Sequence, residues 1–233
     1  MAQTAYRTAL IVGVGAGLSA SLARVFSKAG MAVALAARRA DQLAALAQET
    51  GAKTFACDAT DRHQVAKLFA DVEAALGAPD VVVYNASYRT RGPFVGLDPA
   101  EVEKSLTVTA FGAFLVAQEA VKRMLPHHHG AILFTGASAS IKGYAQSAPF
   151  AMGKFALRGL AQSMARELQP QGIHVGHVVV DGGIRSARRA EPPERPDSML
   201  DPDGIAQSYL ALLQQPRNAW AWEIELRPWV ENF

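Results

Sequence analysis

The stretch Leu10-Ile11-Val12-Gly13-Val14-Gly15-Ala16-Gly17-Leu18-Ser19-Ala20 decides how this chain is read. The apolar run Thr8–Val12 ends in three alternating glycines and passes directly into an amphipathic segment, Leu18–Ala29. Apolar residues in a short unbroken run suit a strand covered on both faces, and the segment after it carries a helical period. The glycines therefore mark a tight strand-to-helix turn. Such a turn can demand glycine for its backbone alone. A helix N-terminus also gathers unpaired N–H groups and partial positive charge, and glycine lets an anion come close to the backbone. At the start of a strand–helix–strand unit, this turn is a candidate pyrophosphate cradle formed by Gly13, Gly15, Gly17 and Leu18.

The pattern continues outward to the end of the chain. Further short apolar runs lie at Ala32–Ala37, Thr54–Ala56, Val81–Tyr84, Ala131–Thr135, His174–Val180 and Glu223–Leu226. Helix-length segments separate them at about Asp41–Glu49, Asp61–Leu76, Pro99–Leu125, Phe150–Leu168 and Asp203–Gln214. Strand and helix alternating this way predict right-handed crossovers and a doubly wound, mostly parallel α/β sheet of about seven strands. That sheet leaves no room for a second domain, so residues 1–233 read as a single domain. Gly30 closes the first helix, Asp98-Pro99 caps the fourth, and Pro170 with Gly172 stops the fifth. One long irregular stretch, Arg185–Pro202, holds Pro192, Pro193, Pro196 and Pro202 and is expected to be a mobile substrate loop.

Composition narrows the function. Half of the 233 residues are apolar and 19% are charged, which supports a folded core. A net charge of +2 with mixed signs gives no nucleic-acid footprint. A single cysteine, Cys57, excludes an internal disulfide framework and a multi-cysteine metal site. No apolar run reaches the length of a membrane span, and the glycine-rich N-terminus does not read as a signal peptide. The expectation is a soluble cytoplasmic protein with no membrane or nucleic-acid partner.

The second strand ends in Ala36-Ala37-Arg38-Arg39, where a site preferring NAD would carry an acid for the ribose 2′-hydroxyl. Two guanidinium groups can instead clamp a 2′-phosphate, so Arg38 and Arg39 point to NADP(H).

Together these residues resemble the short-chain dehydrogenase/reductase family over nearly the whole chain. Gly13-Val14-Gly15-Ala16-Gly17-Leu18-Ser19 is similar to its TGxxxGxG turn, with Val12 in place of the Thr and Ser19 in place of the last Gly. Cys57-Asp58 resembles the acidic position that contacts the adenine, and Asn85-Ala86-Ser87 the NNAG segment. Gly182 and Ile184 match the PGxxxT loop, and Phe150-Ala151-Met152-Gly153-Lys154 stands where the family has YxxxK. The resemblance implies a Rossmann-like domain that binds a nicotinamide cofactor. Asp58, Asn85, Ala86, Lys154, Gly182 and Ile184 then join the cofactor residues, and the chain is expected to form a homodimer or homotetramer around a small-molecule substrate.

The departures concern catalysis. The family's proton-donating Tyr is Phe150 here, its Ser counts back to Ala137 with Ser138 one residue later, and its relay Asn maps onto Thr109. A phenyl ring has no ionisable proton. The candidate catalytic set is therefore Lys154, Phe150, Ser138 and Tyr144, with Tyr88, Arg89 and Arg91 able to reach the same cleft. His127-His128-His129 reads as a helix-to-strand turn rather than a metal site, because adjacent histidines cannot share one tetrahedral ion. His174 and His177 read as packing or interface residues. Core packing explains part of two apolar stripes, one at Leu106, Ala110, Ala113, Phe114 and Ala117, the other at Met152, Phe155, Ala156, Gly159 and Leu160. Gly112 and Gly159 could also let helices approach across a two-fold axis. Two functions stay open: an NADP(H)-dependent oxidoreductase acting on a carbonyl or alcohol, and a nucleotide-binding sensor or scaffold with impaired turnover.

Overall fold

Strands β1 (Thr8–Val12), β2 (Ala32–Ala37), β3 (Lys53–Ala56), β4 (Val81–Tyr84), β5 (Gly130–Thr135), β6 (Ile173–Val180) and β7 (Glu223–Leu226) form one sheet in the computed structural model, which describes residues 6–186 and 189–231. The order is β3-β2-β1-β4-β5-β6-β7, with every neighbouring pair parallel. This is the doubly wound sheet read from the alternation of runs and helices. The strand order reverses between β1 and β4, so a crevice opens at their C-terminal ends.

Alternate strand residues feed two cores, which is why the runs are apolar throughout. Leu10 and Val12 of β1, Val82 and Tyr84 of β4, and Ile132 and Phe134 of β5 pack on one face. That face is covered by α3 (Arg62–Leu76), α5 (Gly112–Met124) and α6 (Ala148–Leu168). Ala9, Ile11, Val83 and Leu133 point to the opposite face, beneath α1 (Leu18–Lys28) and α7 (Pro202–Leu213).

Helix ends follow their capping chemistry. Asp61 caps α3 by accepting from the His63 and Gln64 N–H groups, and Asp98 caps α4 (Pro99–Leu106) by accepting from the Ala100 N–H ahead of Pro99. Two segments differ from expectation. The predicted helix Asp41–Glu49 begins as a 3₁₀ turn, Ala40–Leu43, before α2 (Ala44–Thr50). The predicted helix Pro99–Leu125 is interrupted by a π turn at Thr107–Phe111. There the Val108 carbonyl accepts from the Tyr84 hydroxyl of β4, a partner outside the helix. A methyl group at Gly112 would lie 2.6 Å from that hydroxyl and 2.9 Å from the Ala59 carbonyl oxygen. The small residue at 112 thus serves inward packing and not approach by another helix, whereas Gly159 faces open space.

The stretch 185–202 includes positions 187 and 188, which lie outside the described residues. Its base is tied by parallel pairing of Ile184 with Leu200, and the Arg185 N–H donates to the Leu200 carbonyl across 2.9 Å. Among the described residues no helix is long and apolar enough to cross a membrane.

Candidate active site

Gly13 has φ +87°, and a methyl group there would lie 2.3 Å from the Ala86 N. Only glycine allows β1 and the segment after β4 to meet this closely. Gly15 and Gly17 instead face open space, and α1 begins directly behind them. The opening over these glycines and the unpaired first-turn N–H groups fit a pyrophosphate. Leu18 offers only its backbone to such a ligand, because its side chain is buried in the core beneath α1.

A groove of about 260 Å³ continues from this turn, lined by Arg38, Asp58, Asn85, Ala86 and Tyr88 among others. Asp58 Oδ1 accepts from the Thr60 N–H and hydroxyl, which fixes the carboxylate at the groove wall. Arg38 lines the groove, whereas Arg39 stands at the N-cap position of the following 3₁₀ turn; both side chains are exposed. Burial pushes the Cys57 thiol up to about 11, consistent with a structural residue rather than a nucleophile.

Asn85 and Ser87 also border a second, larger cleft of about 910 Å³. Its walls come from the C-terminal ends of β4, β5 and β6 and include Ser138, Tyr144, Phe150, Lys154, Gly182 and Ile184. The two hollows adjoin, with Asn85 and Ser87 lining both.

Lys154 is only 3% exposed, and its Nζ donates to the Thr135 carbonyl across 2.7 Å. Burial lowers the ammonium to about 8, so it holds its proton only loosely. Thr135 in turn joins two layers: its hydroxyl is 2.8 Å from the Tyr209 hydroxyl of α7. Phe150 lies one turn before Lys154 on α6, with Nζ 5.7 Å from the ring centre. The Arg89 guanidinium lies 4.8 Å from the centre of the same ring.

Several candidates are engaged elsewhere. The Tyr88 hydroxyl donates to Glu101 Oε2, and Lys104 Nζ lies 4.2 Å from the ring centre, so this phenol is turned to α4. Thr109 is fully buried; its hydroxyl accepts from the Tyr88 N–H at 3.3 Å, and its side chain packs against Gly153. His177 is buried on β6, and its Nδ1–H donates to Glu223 Oε2 across 2.9 Å. Burial outweighs this contact and lowers the imidazole to about 4, so the pair is a neutral-histidine hydrogen bond at neutral pH. Arg158 then holds both Glu223 oxygens, at 2.6 and 2.7 Å. His174 stacks on Trp220 with ring centres 4.7 Å apart. His128 sits in a left-handed turn and His129 stacks on Tyr6. Among the described residues no group of three or more His, Cys, Asp and Glu could hold a metal ion.

Two residues beside the site carry no signal in a strand-and-helix reading. Ser19, seen only as a replaced glycine, accepts from Asn85 and donates to the Gly13 carbonyl at 3.2 Å. Arg189 lies flat against Gly183, where a methyl group would sit 2.7 Å from its Cζ. The first contact joins α1 to the segment after β4, and the second folds the loop after β6 back on itself; local sequence reveals neither.

Known proteins are similar to this chain in sequence and fold. The short chain dehydrogenase family model matches residues 7–195. Nodulation protein G of Rhizobium sp. (strain N33) is 30% identical over 183 residues, spanning 78% of this chain and 74% of its own. An uncharacterized oxidoreductase of Staphylococcus aureus (strain N315) is 25% identical over 228 residues, 95% of this chain and 97% of its own. Among solved structures, a short-chain dehydrogenase from Rhodopseudomonas palustris superposes with a TM-score of 0.82 at 31% identity, covering 96% of this chain and 99% of its own. A metagenomic short-chain oxidoreductase in complex with NADP gives 0.84 at 27% identity, covering 95% and 97%.

Proposed function

This chain belongs to the short-chain dehydrogenase family, and on that premise we propose that it is an NADP(H)-dependent oxidoreductase of a carbonyl or alcohol substrate with an atypical proton route. The observation that carries the reading is the pair of hollows that share Asn85, one lined by Arg38 and Asp58 and the other by Lys154 and Phe150. Gly15, Gly17 and the first turn of α1 would hold the pyrophosphate, and Arg38, with Arg39 behind it, the 2′-phosphate. Asp58 and Ala86 would border the adenosine, and Asn85, Lys154, Gly182 and Ile184 the nicotinamide half. The cofactor, when bound, supplies the hydride.

The protein's own task is the proton. Phe150, in the place of the family Tyr, offers none. Lys154, desolvated and lowered to about 8, is positioned to release one near neutral pH, and the Ser138 and Tyr144 hydroxyls line the same cleft. The Tyr88 phenol, held by Glu101, is left out. Phe150 also favours the second reading, a nucleotide-binding sensor or scaffold of the same fold.

Apolar side chains on the outer faces beside α5 and α6 support self-association. Phe111, Phe114, Met152 and Phe155 are each between 42% and 52% exposed, too apolar a face to leave in water. A homodimer or homotetramer would cover it, and sedimentation of the whole chain reads this directly.

NADPH oxidation across aldehydes, ketones and quinones, alongside calorimetric titration of NADPH, separates the readings. Turnover supports the enzyme. Tight NADPH binding without turnover supports the sensor, and absence of NADPH binding overturns both.

A further inference from the structure

The large cleft beside Phe150 is positively charged in a way that cofactor binding does not require. Arg89, Arg91, Arg189 and Arg195 all line it. Among the described residues none of the four takes part in an ion pair. The cleft's two carboxylates do little to balance them. Asp181 is already paired, with Arg227 at 3.1 Å and Lys142 at 3.5 Å, which leaves Glu231.

Four guanidinium groups brought to one concavity repel one another unless an anion joins them. Arg89 registers that crowding: desolvation, then the charges of Arg91 and Arg189, push its guanidinium below the usual arginine range. Two of these side chains are also held in place. Arg89 stacks on Phe150, with its Cζ 4.8 Å from the ring centre. Arg189 is laid against Gly183, and its backbone is pinned by reciprocal N–H to carbonyl bonds with Ser186, both 3.0 Å long. An immobilised guanidinium loses less entropy on meeting a planar carboxylate or a phosphate than a free surface arginine does.

The geometry points to an anionic substrate: a small carbonyl or alcohol compound whose carboxylate or phosphate is held by Arg89, Arg91 and Arg189, with its reacting carbon beside Phe150 and Lys154. This inference rests on the oxidoreductase reading for the reacting carbon, but the anion site stands on the arginines alone. The ring at 150 is then the platform that carries Arg89, a role that either phenylalanine or tyrosine can fill.

The test is titration calorimetry on the whole chain, alone and saturated with NADP⁺, using matched probes. 2-Oxoglutarate is compared with its dimethyl ester, and dihydroxyacetone phosphate with dihydroxyacetone, so that carboxylate and phosphate are told apart. At least one anion should bind about tenfold or more tightly than its neutral partner, and weaken as salt is raised. Arg89→Gln combined with Arg91→Gln should remove that difference and leave NADPH affinity within about twofold. Three results overturn the inference: equal affinity of anion and neutral partner, absence of binding by every anion, or an equal loss of NADPH affinity in the double variant. The last would give the arginines to the cofactor. Should NADPH itself fail to bind while the anion preference persists, the oxidoreductase reading falls and the anion site remains.

Discussion

Asn85 Nδ2 donates to Ser19 Oγ across 2.7 Å, joining the segment after β4 to the first turn of α1. Ser19 passes the bond on to the Gly13 carbonyl, so one hydroxyl braces both walls of the phosphate turn. Ser19→Ala leaves the Asn85 amide without that acceptor. The expected cost is about 1–2 kcal/mol in urea unfolding, with a larger loss when NADPH is present because the cradle is also distorted. Unfolding midpoints and NADPH affinities equal to those of the parent chain would contradict the brace.

Cofactor choice should follow Arg38 more than Arg39, since Arg38 lines the groove while Arg39 stands at the N-cap position of the next turn. The whole chain should favour NADPH over NADH by roughly 1–3 kcal/mol, the scale of one or two charge-assisted bonds. Arg38→Ala should remove most of that preference and Arg39→Ala a smaller part, as read by fluorescence titration of both nucleotides. Equal starting affinities, or a ratio unmoved in the Arg38→Ala Arg39→Ala chain, count against a 2′-phosphate clamp.

Lys154 ties stability to pH with a definite sign. Its folded value, about 8, lies below the unfolded reference of 10.5. Between those values the unfolded chain binds the extra proton, so the Lys154 contribution to stability rises with pH. Below pH 8 both states are protonated and the buried ammonium carries its full penalty. Lys154→Met, which removes the charge at similar length, should gain on the parent below pH 8 and lose that advantage by pH 10. The span is about 3 kcal/mol. Chemical unfolding of the two chains at pH 7, 8, 9 and 10 reads the difference; a constant offset would mean the ammonium is solvated.

The loop at 185–202 is tied at its base by Ile184 and Leu200 and by the Trp229 indole N–H donating to Asp197 across 3.1 Å. Its prolines and charges bury little between those ties. We expect a glutamate-specific protease to cut after Glu194 in the free chain and to cut more slowly with NADPH bound, as the loop settles over the cleft. Resistance in both states would identify a rigid connector.

Much of this was legible because the inner strands are buried on both faces, while β7 at the sheet edge shows itself by alternation. β1, β2, β4 and β7 begin and end where their apolar runs do, and the Asp98-Pro99 cap marks the start of α4. The π turn at Thr107–Phe111 was not legible. Its Val108 carbonyl is met by Tyr84, which is distant in sequence and reaches in from the neighbouring strand. Tyr88 shows the same limit at the site: loop position placed it near the cleft, but Glu101 decides where its hydroxyl points. The Phe150 and Lys154 pair could be read because both stand on one helix, one turn apart. The arginines over them come from separate loops, and only the fold unites them.

Phe150→Tyr tests the proton route most directly. Reduction of a ketone leaves an alkoxide, and a positioned acid is typically worth about 10²–10⁴ in rate. The parent chain, with a phenyl ring at 150, is expected to reduce simple ketones slowly. Tyrosine adds one oxygen at the far end of a ring that already lines the cleft, so the fold should tolerate it. The new hydroxyl would belong to a ring flanked by two cations, Lys154 and Arg89, which now lie 5.7 and 4.8 Å from the ring centre. Nearby positive charge favours the phenolate, lowering the phenol toward the pH at which it can act. NADPH oxidation with simple ketones should therefore rise about tenfold or more in Phe150→Tyr, and Lys154→Ala should abolish the gain. Brisk turnover by the parent chain that survives Lys154→Ala would mean the chemistry lies elsewhere. No turnover in either chain, with NADPH still bound, would leave a nucleotide sensor.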